Sequence, residues 1–524
     1  METAGGRRRR TRARQRSTAE AATTRRLARM LCFTVALAAC DPTTGPEEQQ
    51  EEQSVVASVS VSPEVATIVP GQRQQFTATA HDGDGREIPG ISFTWSSSDP
   101  TIASVDDNGL ATGVTDGTVQ VSADVGDQGP TGSATLVVEP EARFSGSWRS
   151  ISTGASHTCA LDGEGRAFCW GDNSNGELGT GEWAFEDQPT AQPVRGGLQF
   201  AAISTGANTC AVAPDGAAYC WGSNANGELG TSSSESCRGG DPCSTVPIPI
   251  ADPEGGPVTW RSVSVGWRHA CGLSTSGNVY CWGHNGECQL GDCALAEAHR
   301  PVLVADADSA GMAVSMRGRV QAVSTRGSHT CAVLTGNALV CWGTNSDGEL
   351  AAGGFSENES PIMTAIGPDD VVVGGMLGAS GHTCVLVGGR GFCAGSGLDG
   401  RLGNGGDTYD EPSFVPVEGG LTWSSLTAGD SHTCGVTSDD VPYCWGDNYY
   451  GAVGNGTSGI LYDETVPVPV GTNDAYAVLS AGLQYSCGIT TDGRAFCWGD
   501  NLYGQLGDGT SVQRDLPVRV KDPA

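Results

Sequence analysis

Between residues 159 and 497 the chain sets two cysteines nine or ten residues apart seven times, and Trp-Gly follows the second in all but one repeat. Cys159 goes with Cys169, Cys210 with Cys220, Cys271 with Cys281 and Cys331 with Cys341. Cys384 then goes with Cys393, Cys434 with Cys444 and Cys487 with Cys497. Successive first cysteines are separated by 51, 61, 60, 53, 50 and 53 residues. A repeat of that length is one supersecondary unit, unable to cover its own apolar face and stable only against its neighbours.

Each pair flanks a hairpin. Cys159 and Cys169 are equidistant from Glu164, and Asp162-Gly163-Glu164-Gly165 between them is turn chemistry. Equidistant residues face each other on antiparallel strands, where a disulfide can form. The fifth repeat is one residue shorter and centres on Gly388-Gly389, a two-residue loop suited to a type I′ turn. Opposition survives the change of turn, so a disulfide within each repeat is expected. Zinc is the rival for paired cysteines, but one pair per repeat around a ring cannot converge on one metal.

A full unit adds an apolar strand before the first cysteine, as in Ile151–Gly154, and a Gly-rich loop after Trp-Gly, as in Asp172–Gly179. A Pro-containing strand follows, such as Val246–Ile250. Four short strands per unit, seven times and without a helical period, predict an all-β, closed seven-bladed propeller. The pattern Gly-x-x-His-Thr-Cys … Cys-Trp-Gly-x-Asn-x-x-Gly-x-Leu-Gly resembles the regulator of chromosome condensation repeat, whose members form seven-bladed propellers. The resemblance covers residues 145–522. It departs at Asn208 and Tyr485 in place of His, at Ala394 in place of Trp, and at Arg326 in place of Gly.

Ahead of the repeats, residues 55–139 alternate polar and apolar in stretches such as Val55–Val61, Gln75–Thr79 and Gly117–Ser122, the pattern of sandwich strands. Phe93–Pro100 and Val105–Gly113 resemble the group 2 bacterial immunoglobulin-like domain. This implies an N-terminal β-sandwich with Trp95 at the centre of its core. Residues 40–54, rich in Pro, Glu and Gln, form an acidic flexible tether. Residues 1–39 have an Arg-rich start, a short apolar run from Leu31 and small residues before Cys40, as in a signal peptide. Ending on Cys40, the segment resembles a lipoprotein signal, which implies acylation of Cys40 and membrane attachment through lipid. The apolar run is too short to span a bilayer.

Cysteine usage agrees with an extracytoplasmic location. Of 20 cysteines, Cys32 leaves with the signal and Cys40 takes lipid. Beyond the repeat pairs remain Cys237 with Cys243 and Cys288 with Cys293, expected as two further disulfides. The chain carries 29 Lys+Arg against 60 Asp+Glu, net −31, and loss of the Arg-rich leader makes it more acidic. That field repels phosphate backbones and excludes nucleic acid as a partner.

Five histidines, His157, His269, His329, His382 and His432, stand two residues before the first cysteine. A ring of imidazoles could bind metal; a repeated position more simply bonds backbone within or between blades, and no metal or other cofactor is assigned. The Asp-Asn-x-x-Gly loops (Asp172-Asn173, Asp447-Asn448, Asp500-Asn501) and His81–Gly85 could take adventitious calcium, but lack EF-hand spacing and read better as turns. There is no Gly-x-Ser-x-Gly, no His-Glu-x-x-His, and the only lysine is Lys521, so no enzyme is expected.

Binding remains. Loops that depart from a repeat carry its specificity. These are Trp183 and Phe185 in the first unit, Arg238 and Asp241 in the second, and Gln289 in the third, joined by Trp267, Tyr449, Tyr450 and Tyr503. The expectation is a monomeric, lipid-anchored binding or adhesion scaffold for a protein or glycan. Inhibition or regulation of another enzyme is the alternative. Guanine-nucleotide exchange, implied by the family alone, conflicts with export.

Overall fold

The computed structural model describes residues 55–523 except 69, 127–128, 140–143, 305–306, 310–311, 315, 364–376, 379–380 and 408. The leader, Cys40 and the tether lie outside the described residues.

Residues 55–139 form a β-sandwich. One sheet joins Ser58–Ser62, Thr77–His81 and Glu87–Ile88; another runs Val65–Ile68, Thr131–Val138, Gly117–Asp124, Thr94–Ser97. Its centre is Phe76 with Ile68, Val121 and Leu136, all fully buried. Trp95 does not centre this core, contrary to the sequence-based expectation. It is half-buried at the side, where Gly109 leaves room for its ring: a Cβ there would come within 2.7 Å of the indole.

From Trp148 to Arg519 the chain folds into seven antiparallel blade sheets, six of four strands and one of five. A two-stranded ribbon, Ala307–Ser309 with Met312–Val314, follows the third. This is the predicted propeller, and every blade is one contiguous stretch of chain. In the first blade Trp148–Thr153 is innermost, followed by His157–Asp162, Ala167–Gly171 and Gln188–Pro193.

Cys159 pairs with Cys169 in register, at Cα–Cα 4.1 Å, the close spacing of a non-hydrogen-bonded pair. Cys210 faces Cys220, Cys271 faces Cys281 and Cys331 faces Cys341 in the next three blades, each at 4.1 Å. Cys434 faces Cys444 and Cys487 faces Cys497 at 4.0 Å in the last two. Cys384 and Cys393 meet over the Gly388-Gly389 turn, whose φ values of +57° and +78° suit type I′. All fourteen of these cysteines are fully buried, so they staple hairpins from inside and offer no surface to a ligand. Gly171 explains the Trp-Gly pair: at φ +107°, a Cβ would strike the His157 backbone.

Adjacent blades are sewn together by side chains. His157 Nε2 lies 2.8 Å from Thr209 Oγ1 of the next blade. The same contact joins His269 to Thr330, His329 to Thr383, His382 to Thr433 and His432 to Ser486, at 2.8–2.9 Å. Thr433 and Ser486 spend their single hydroxyl proton on the carbonyls of Arg401 and Ala452, at 2.8 and 3.0 Å. The imidazole must therefore donate from Nε2, leaving Nδ1 as a bare acceptor. Nδ1 of His269, His329, His382 and His432 indeed has no partner. Burial holds these rings neutral, with His157, His329 and His432 lowered to about 4. The repeated His thus bonds a hydroxyl across the seam rather than backbone.

The exceptions obey the same rule. Asn208 replaces His in the second blade, and the next blade offers Ala270 with no hydroxyl to meet. In the seventh blade Tyr485 takes over: its hydroxyl donates to His157 O at 2.7 Å and sits 3.0 Å from Thr158 Oγ1. Indole N–H groups reinforce five of the seven seams; Trp221 of the second blade finds no partner, and the fifth blade has Ala394 instead. Trp170, Trp282, Trp342, Trp445 and Trp498 donate to the carbonyls of Gln505, Glu228, Gln289, Arg401 and Ala452 in the preceding blade. Around the axis, Ser152, Ser204, Ser264, Thr427 and Ser480 accept backbone N–H groups from neighbouring inner strands.

Among the described residues no strand crosses from the last blade to the first, so closure rests on these bonds and on the apolar packing of Trp148, Phe168 and Trp170 against Ile489 and Leu506. Tyr485→Phe removes the donor to His157 O, a buried acceptor whose loss costs about 1–3 kcal/mol. The melting temperature should drop. Hydrogen exchange should rise first in Trp148–Thr153 and Tyr476–Ala481 while the seam between the third and fourth blades stays protected.

Candidate interaction face

Strand direction assigns the loops to faces. The chain enters the first blade at Trp148 and its inner strand rises to Thr153, so the turns before His157 and the long loops after Trp-Gly share one face. The short hairpin turns and the links between blades lie on the other, where the sandwich connects.

Six of the seven long loops are clasped from within; the fifth blade has Gly397 at the clasp position. Asn173 Oδ1 accepts from Leu178 N at 3.1 Å, and Leu178 is fully buried. Asn224, Asn285, Asn345, Asn448 and Asn501 repeat this with Leu229, Leu290, Leu350, Val453 and Leu506. Asp172 Oδ1 is taken by Ser174 N, and Asp82 Oδ1 in the sandwich by the N–H groups of Asp84 and Arg86. These oxygens serve turns. Among the described residues, no group of three or more His, Cys, Asp or Glu is placed to hold a metal.

On this framework the departing loops divide the face. The second and third blades carry the pinned loops: Cys237–Cys243 encloses the turn Arg238–Gly240, and Cys288–Cys293 closes a smaller ring. Arg238 and Asp241 are exposed. Gln289 is not, which corrects its place among the binding candidates. Only 1% exposed, it gives its carbonyl to Trp342 and its Oε1 to Glu287 N.

The fifth, sixth, seventh and first blades carry apolar loops. Trp183 and Phe185 pack edge to face at 5.1 Å, with Phe185 71% exposed. Tyr449 and Tyr450 pair at 4.7 Å, and Tyr503 is exposed together with its neighbour Leu502. Ile460, Leu461 and Tyr462, missed in the sequence reading, are the most prominent apolar run of the face: Leu461 is 91% exposed. Leu398 and Tyr409 of the fifth blade were missed too. The available signal was three large apolar residues in a row, Gly459-Ile460-Leu461-Tyr462, inside a polar loop. Carboxylates lie among these groups. Burial raises Asp463, with Asp447 and Asp399 adding to the effect, and burial lifts Glu177 to about 7.

Trp267 stands apart from the outer loops, at the inner turn of the third blade. Its N–H donates to Gly327 O, one link of a backbone ring that includes Ala155 N to Gly206 O and Asp430 N to Gly482 O. Trp267 and Asp430 thus border the mouth of the axial channel. A larger cavity, about 530 Å³, opens between the sandwich and the first blade and is lined by Glu139, Arg195 and Lys521 among others.

Residues 125–480 match the RCC1-like domain, residues 478–505 and 492–524 the regulator of chromosome condensation (RCC1) repeat, and residues 55–136 the bacterial Ig-like domain (group 2). The chain belongs to the RCC1-like family of propellers. It is 29% identical over 381 residues to the ultraviolet-B receptor UVR8 of Arabidopsis thaliana, spanning 71% of this chain and 81% of that one. It is 28% identical over 367 residues to the E3 ubiquitin-protein ligase HERC2 of Homo sapiens, covering 68% of this chain but 7% of the ligase. Human WBSCR16 superimposes with a TM-score of 0.57 at 19% identity, over 67% of this chain and 88% of that one. Prp20p of Saccharomyces cerevisiae, described with its binding to Gsp1p and histones, gives 0.54 at 21%, over 65% and 81%.

The disulfides differ in accessibility. The blade cysteines are fully buried, whereas Cys293 is exposed. Mild reduction of the native protein followed by alkylation should label Cys288 and Cys293 first. The blade pairs should react only on unfolding, as peptide mass mapping would show.

Proposed function

We propose that this chain is a lipid-anchored, extracytoplasmic module that binds a protein through the loop face of its propeller. The observation that carries the reading is the run of exposed apolar side chains on the sixth blade, Ile460 to Tyr462, continued by Leu502, Tyr503, Trp183 and Phe185 on the next two. Exposed apolar groups gathered on one face mark an interaction site. The acidic surroundings favour a partner with basic residues around an apolar patch. Relatives agree with a protein partner, since Prp20p is described as binding Gsp1p and histones. The face lies opposite the end of the propeller at which the sandwich connects, which suits attachment from the N-terminal side.

Crosslinking mass spectrometry on intact cells tests this. Wild-type protein should give one recurrent protein partner, with crosslinks on the fifth to seventh and first blades. Leu461→Asp with Tyr462→Ser should reduce the yield at least tenfold at unchanged melting temperature. An undiminished yield, or recovery of glycan alone, would sink the reading. The anchor has its own test: Cys40→Ala should move the protein from the membrane fraction to the soluble one.

A further inference from the structure

The axial channel holds charges that ring closure does not require. Arg326 stands where five other blades have glycine: Gly154, Gly206, Gly266, Gly429 and Gly482. Its Nη1 donates to Thr153 O at 3.2 Å, from the fourth blade to the first. A guanidinium has five N–H groups, and Arg326 forms no ion pair with a described residue. Asp430 stands where other inner turns carry Ala155, Ala207, Trp267, Gly327 or Leu483. It is 9% exposed, and its Oδ1 has no hydrogen-bond partner.

Asp430 lines a cavity of about 220 Å³ together with Arg401, Ser431, Leu483 and Gln484. Arg401 spends one N–H each on Leu398 O, Asp430 O and Asp399 Oδ2, which leaves two. Burial lifts the Asp430 carboxyl to about 6, opposed by Arg326, Arg401 and the Trp267 indole, so it is mostly ionised at neutral pH. The cavity thus sets a buried carboxylate with one unmatched oxygen beside the Arg401 guanidinium, which bonds the Asp430 carbonyl and the Asp399 carboxylate but not the Asp430 carboxylate. Folded proteins rarely leave such an oxygen without a donor.

We propose that this cavity binds a free α-amino acid, its ammonium group on Asp430 Oδ1 and its carboxylate on Arg401, with Arg326 adding charge from the channel. A lone anion would face Asp430, and a lone cation would face Arg401. Only a ligand carrying both charges on neighbouring atoms satisfies both walls. The volume lies below the roughly 300–1,000 Å³ of pockets for drug-sized ligands, which suits a molecule this small. The ligand's side chain leaves toward the loop face, where Trp267 stands at the channel mouth. The site is independent of the apolar docking surface.

Isothermal titration calorimetry of the intact chain with the 20 common amino acids decides the matter, with acetate and methylamine as single-charge controls. At least one amino acid should bind saturably, and both controls at least tenfold more weakly. Asp430→Asn and Arg401→Gln should each lose the binding at unchanged melting temperature. Glutamine already occupies the Arg401 position in two other blades, as Gln289 and Gln505. Arg326→Gly should weaken it, and Leu461→Asp should leave it intact. No saturable heat from any amino acid, acetate binding as tightly as the best one, or full binding by Asp430→Asn would each overturn the proposal.

Discussion

A neutral imidazole donating to a hydroxyl of the next blade is the contact on which the ring depends. The imidazole stays uncharged because a second N–H, on Nδ1, would be buried with no acceptor at His269, His329, His382 and His432. Burial enforces that state, holding His157, His329 and His432 near 4. Three partners, imidazole, hydroxyl and carbonyl, thus tie the first blade to the second, the third to the fourth, the fifth to the sixth and the sixth to the seventh. The indole N–H of the Trp-Gly pair adds a second bond to that carbonyl in the fourth, sixth and seventh blades and, through Gln505, in the first. Disulfides hold each hairpin; these seams hold the hairpins to one another.

The blade count and cysteine pairing were legible because they are local. Turn length fixes hairpin register, and register decides which cysteines meet. The seam was partly legible. Asn208 coincides with Ala270 one repeat later, so the loss of donor and acceptor together could have been found by comparing neighbouring units. Gln289 was misread because it lies between two disulfide cysteines, yet its position equals that of Glu177, the residue before the buried Leu178. Asp430 was not legible at all. Nothing in its neighbours along the chain tells that ring closure brings it beside Arg326, about a hundred residues away in the sequence, or Arg401.

The loop face combines rigidity with exposure. The Asn clasp and the buried Leu, or Val453 in the sixth blade, beneath it fix where six of the loops start, so variation is confined to the residues that follow. Ile460 to Tyr462 therefore project from a fixed base, and the ordering cost of binding falls on few side chains. Acidic groups among them discourage self-association of the apolar patch without covering it.

Because each blade is one uninterrupted stretch of chain, the ring has a start and an end only by accident of where the chain was cut. Trp148 N bonds Gly493 O across that junction, much as Trp260 N bonds Gly216 O between the second and third blades. Any link between blades could serve as the terminus of a circular permutant. The fused sandwich, by contrast, is matched to one place on the ring: it encloses a cavity with the outer strand of the first blade, and Arg195 of that blade donates to Thr67 O.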